Sequence, residues 1–131
     1  MKSKSSLVFY SFSTQNTKRF ANRVKHESTI EITESNPFIK VDNPFIIVIP
    51  SYEPHVFPEI YDIFEDFFET GDNIENCKGI FASGNRNFMS LFGVTGKTFS
   101  KKYNIPILHE FEFQGDRFDI NKIKEELKKI G

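Results

Sequence analysis

The chain has no tryptophan and a single cysteine, Cys77. One cysteine allows no internal disulfide and suits a reducing compartment. Long apolar runs are missing as well. Behind the basic start Met1-Lys2-Ser3-Lys4, the apolar stretch Leu7-Val8-Phe9-Tyr10 has four residues. A secretory signal needs roughly seven or more, and a membrane-spanning helix about twenty. The sequence therefore predicts a soluble, cytoplasmic protein with no membrane partner. Neither sign of charge dominates: 17 basic and 18 acidic residues give a net charge of −1. No basic stripe stands out, which argues against a nucleic-acid partner. His26, His55 and His109 are scattered without metal-ligand spacing, so no metal site is expected.

The common phosphate-loop signatures are also absent. No Gly-x-Gly-x-x-Gly follows a predicted strand. The fragment Gly93-Val94-Thr95-Gly96-Lys97-Thr98 ends like a nucleotide-binding loop, but its glycine spacing is wrong and it falls inside a predicted helix.

What is present is a regular alternation of elements in 131 residues, the size of one domain. Apolar runs predict buried strands at 7–10 and 45–49 (ended by Pro50), with a further strand at 77–82, a less buried one at 28–32 and an edge-like one at 106–113. Helices are predicted over 18–24, from Pro58 to the Gly71-Asp72-Asn73 stop, over 88–103, and from Asp119, read as an N-cap, to the C-terminus. Ile60, Ile63, Phe64, Phe67 and Phe68 share one stripe of the second helix. Phe88, Leu91, Phe92, Phe99 and Tyr103 do so on the third, and Ile120, Ile123, Leu127 and Ile130 on the last. A loop around Asn36-Pro37 stands where a helix between the second and third strands would be. This order implies a single α/β domain over 1–131, with a parallel sheet and helices on both faces.

In such sheets ligands bind beyond the carboxyl ends of the strands. Three polar loops should meet there: 11–17, 51–57 and 83–87. The first, Ser11-Phe12-Ser13-Thr14-Gln15-Asn16-Thr17, brings hydroxyls and amides to a helix start, which suits a phosphate monoester. Taken alone it could equally be an N-cap cluster. In the third, Gly84 permits close backbone approach, Asn85 and Asn87 offer amides, and Phe88 offers an aromatic plane. The competing reading is an Asn-rich capping turn.

Tyr10 to Phe20 and Ala82-Ser83-Gly84-Asn85-Arg86-Asn87-Phe88, together with Asn104-Ile105-Pro106-Ile107 and Phe111-Glu112-Phe113-Gln114-Gly115, resemble the NrdI family. These are flavodoxin-like FMN proteins that assist class Ib ribonucleotide reductase. The resemblance implies a flavodoxin-like three-layer sandwich with sheet order 2-1-3-4-5. It implies that Ser11, Ser13, Thr14, Gln15, Asn16 and Thr17 hold the FMN phosphate, and that Ser51, Tyr52, Glu53 and Pro54 line one side of the flavin. Ser83, Gly84, Asn85 and Phe88 would line the other. The implied partners are the radical-bearing small subunit of the reductase, which receives an oxidant (superoxide from reduced FMN and oxygen), and a flavin reductant. The free protein is expected to be a monomer, and no side chain is expected to act as nucleophile or general base.

Relatives carry glycines beside flavin N5, where this chain has Ser51-Tyr52-Glu53-Pro54-His55. Glu53 precedes a proline and is restricted to extended backbone, so a peptide flip at this point is not expected. Two other functions fit the same fold: a general electron-transfer flavodoxin, and a flavin-free interaction module.

Overall fold

The computed structural model describes residues 5–10, 16–50, 59–84, 94–112 and 114–131. The elements run β1 (Ser6–Tyr10), α1 (Asn16–Val24), β2 (Thr29–Ile32), β3 (Phe45–Pro50), α2 (Glu59–Phe68), α3 (Asn73–Asn76), β4 (Cys77–Gly84), α4 (Val94–Tyr103), β5 (Ile107–Glu112) and α5 (Arg117–Ile130). The five strands form one sheet in the order β2-β1-β3-β4-β5, and every neighbouring pair is parallel. This is the sandwich and the strand order that the resemblance implied.

Alternation along the strands divides the core in two. Val8, Tyr10, Ile47, Ile49, Ile80 and Ala82 face α2 and α4, meeting Ile60, Phe64, Phe67, Phe68 and Phe99. Leu7, Phe9, Ile46, Val48 and Phe81 face α1 and α5, meeting Phe20, Val24, Ile123 and Leu127. All of β3 is buried, as a central parallel strand must be.

The connection between β2 and β3 carries no helix, as expected from Asn36-Pro37. It is held instead by α3, a short helix that the sequence reading took for the stop of α2. The side chain of Asn73 accepts from the Val41 N–H at 2.8 Å and donates to the Ile39 and Phe67 carbonyls, both at 2.8 Å. Asn76 donates to the Val41 carbonyl at 2.9 Å.

A second correction concerns α5. Its N-cap is Asp116, and Asp119 is the third helical residue of a capping box. The carboxylate of Asp116 accepts from the Asp119 N–H at 3.1 Å, while that of Asp119 accepts from the Asp116 N–H at 2.9 Å. Of the residues expected inward on the third helix, Phe99 is buried and Tyr103 packs against the core. Phe88, Leu91 and Phe92 lie outside the described residues.

Candidate functional site

The parallel register sets which strand ends share an edge. Pro50 lies opposite Ser83, Gly84 opposite Glu112, and Tyr10 opposite Ile32. The chain therefore leaves β1 at Tyr10, β3 at Pro50 and β4 at Gly84, all along the carboxyl edge of neighbouring strands. The connections out of β1 and β3 run to opposite sides of the sheet, which makes this the switch point where α/β sheets bind ligands.

Four of the expected site residues are described. Asn16 and Thr17 open α1; Thr17 is buried, while Asn16 is half-exposed and its side-chain oxygen accepts from Arg19 Nη1 at 3.3 Å. Ser83 is buried at the end of β4, and Gly84 is half-buried beside it. Ser11, Ser13, Thr14, Gln15, Ser51, Tyr52, Glu53, Pro54, Asn85 and Phe88 lie outside the described residues, as does the glycine-free stretch 51–55.

The charge at the helix starts suits a phosphate. The first turns of α1 and α4 hold no acid, whereas that of α2 holds Glu59 and Asp62 and that of α5 holds Asp119. Within its own first turn α1 thus sets no carboxylate against the positive end of its dipole. Neutral donors on Asn16 and Thr17, with Lys18 and Arg19 in the next positions, fit a phosphate dianion.

One polar pair at this edge escaped the sequence reading. The Tyr10 hydroxyl, on the last residue of β1, donates to Glu34 Oε1 at 3.5 Å. Burial first, and the Glu34 charge second, push its pKa up to about 12. The two residues are 24 positions apart, and no local pattern joins them. Among the described residues no three His, Cys, Asp or Glu side chains gather as metal ligands, and no helix is long and apolar enough to cross a membrane.

The decoy fragment resolves into packing. Val94 to Thr98 lie in α4, and a Cβ on Gly96 would come within 2.7 Å of the Ala82 Cβ. That glycine lets α4 close onto β4. Lys97 Nζ stands 3.6 Å from Glu110 Oε2, and the Thr98 hydroxyl bonds back to the Val94 carbonyl at 2.9 Å.

A family profile described as "NrdI Flavodoxin like" matches residues 7–125. Among solved structures, a short-chain flavodoxin associated with a bacterial microcompartment superposes with a TM-score of 0.66 at 18% identity, covering 99% of this chain and 97% of that one. The flavodoxin of Streptococcus pneumoniae TIGR4 superposes with a TM-score of 0.60 at 18% identity, over 96% of each chain. At that identity the two likenesses establish the fold.

Proposed function

The chain belongs to the NrdI family of flavodoxin-like FMN proteins, and on that premise we propose that it activates the radical-bearing small subunit of a class Ib ribonucleotide reductase. The observation that carries the reading is the family match over 7–125 together with an acid-free α1 start at the switch point. When bound, FMN supplies the redox chemistry, taking electrons from an external reductant and giving them to oxygen to yield the superoxide that is handed on.

The chain's own residues bind and orient. Asn16 and Thr17, with Ser11, Ser13, Thr14 and Gln15 before them, hold the phosphate at the positive end of α1. Ser83 and Gly84, with Asn85 and Phe88, form one flavin wall, and Ser51, Tyr52, Glu53 and Pro54 the other. Residues 53–57 and 86–92 form the docking rim toward the small subunit. The protein acts as a monomer of one domain in the cytoplasm.

The test is reconstitution. The purified full chain is expected to be yellow or to take up one FMN. Once reduced and exposed to oxygen, it should generate the radical in a class Ib small subunit, where a generic flavodoxin does not. Absence of FMN uptake would leave the flavin-free interaction module. Equal activation by a generic flavodoxin would overturn the specific role.

One observation favours a second reading, general electron transfer. Residues 59–76 contain Glu59, Asp62, Glu65, Asp66, Glu69, Asp72 and Glu75 and no basic residue. Glu59, Asp62 and Asp66 join Glu34 around a cavity of about 460 Å³. The near-neutral net charge conceals this wall, so composition alone does not exclude an electron-shuttling flavodoxin with an acidic docking face.

A further inference from the structure

At the opposite end of the sheet from the proposed FMN edge, the end of α1 and the last turns of α5 flank an open hollow of about 490 Å³. Its floor is apolar, made by the buried side chains of Val24 and Leu127. Its rim carries Lys25, Lys124 and Lys128 against a single acid, Glu27. His26 closes the inner side: its Nε2 donates to the Ser5 carbonyl at 2.9 Å, and the Ser5 hydroxyl donates to the Leu127 carbonyl at 3.0 Å.

The rim gathers three exposed lysines from two elements. Lys124 and Lys128 are spaced i, i+4 on one face of α5, where like charges repel. Among the described residues none of the three lysines makes an ion pair, which is equally true of the exposed Lys40 and Lys101. Lys25 also holds a left-handed backbone, φ 57°, just past the end of α1. At the corresponding place after α4 the chain uses Asn104, also at φ 57°, a residue that tolerates that conformation far better than lysine does. Compensation of helix dipoles accounts for cations near the ends of α1 and α5, but not for Lys124, which lies before the last turn of α5.

We propose that this hollow binds a small polyanion of the di- or triphosphate class. The lysines come from two elements, and the Cβ atoms of an i, i+4 pair alone stand about 6 Å apart, a wider span than one phosphate group.

The experiment is a titration of the ¹⁵N-labelled full chain with inorganic pyrophosphate at fixed ionic strength. Saturable shifts confined to the amides of 24–27 and 124–128 are expected. The Lys124→Ala/Lys128→Ala double variant should bind at least tenfold more weakly, while Lys101→Ala, an exposed lysine on α4, should change affinity less than twofold. Lys25→Gly removes a charge and the strained backbone together, so it should weaken binding severalfold while raising the melting temperature. Linear shifts spread over the exposed lysines, or affinity that survives the double variant or Lys25→Gly, would overturn the proposal. Amide spectra of each variant confirm the fold, and FMN uptake provides a readout at the far edge that should stay unchanged.

Discussion

Gly115 stands at φ +74°, and a Cβ placed on it would lie 2.8 Å from Phe20 Cδ1 and 3.2 Å from Phe111 Cδ2. Those two rings stack with centroids 4.3 Å apart, and the Gly115 carbonyl accepts from Arg23 Nη1 at 3.1 Å. Alanine would add left-handed strain to an overpacked contact. Gly115→Ala is therefore expected to lower unfolding stability by about 2 kcal/mol or more, read as a shifted urea midpoint. Cys77 offers a chemical test at the same scale. It is buried at the start of β4, and burial pushes its thiol up to about 12. A disulfide reagent such as DTNB should leave the native protein unlabelled at pH 8 and label it only as it unfolds. The sequence reading found Cys77 as a small buried residue because a lone cysteine inside an apolar strand has little else to do. It could not find the partners of Gly96 or Gly115, because a glycine's sequence neighbours do not name what packs on its bare face.

At the level of elements, both corrections come from polar side chains bonding backbone groups, three positions apart in the α5 cap and 32 and 34 positions apart at Asn73. Asp116 and Asp119 are each plausible caps, and reciprocal bonding makes the first the N-cap and the second its answering carboxylate. The Asp119 N–H donated to Asp116 holds the Asp116 carboxyl below the usual carboxylate range. A lowered folded value means that this group adds stability once the pH exceeds its unfolded value, about 3.9. That contribution is lost as the pH falls through the lower folded value. Asp116→Asn keeps a capping oxygen without the titrating charge. The stability difference between wild type and this variant should therefore shrink in urea melts taken from pH 5 downward. A constant difference would remove the cap from the acid response. Asn73 was legible only as a turn residue. In the fold its side chain satisfies three backbone groups from two segments, and Asn73→Ala would leave the Val41 N–H and the Ile39 carbonyl unpaired, while the Phe67 carbonyl keeps the Thr70 N–H at 3.2 Å. At roughly 1–3 kcal/mol per buried unsatisfied group, a loss of about 2 kcal/mol or more is expected. Faster amide exchange at Val41 would show that the β2–β3 connection has come loose.

For the molecule as a whole, the alternation of apolar runs was enough to read five parallel strands and two covering layers, because period-two and period-3.6 burial are local properties. The placement of charge was not legible in that way. A net charge of −1 averages the acidic 59–76 segment, on one side of the sheet, with the lysine-rimmed hollow between α1 and α5 on the other. The lining residues of that hollow are about a hundred positions apart in the chain. The proposed FMN edge was read from loop composition and family likeness, and it yields a measurable linkage. On the proposed reading the start of α1, between β1 and β2, would hold the phosphate. The proposed flavin walls follow the ends of β3 and β4, so one bound FMN would bridge elements from the middle of the sheet. A ligand that binds only the folded chain stabilises it by about 2.7 kcal/mol at a hundredfold excess over its Kd. For a domain of this size that corresponds to roughly 10 °C in melting temperature. The midpoint should climb with the logarithm of free FMN, and riboflavin, which lacks the phosphate, should produce a much smaller rise. Thr17→Val, which removes a buried hydroxyl at the start of α1, should diminish the FMN effect and leave the small riboflavin effect in place. Equal stabilisation by the two ligands would move the phosphate away from α1.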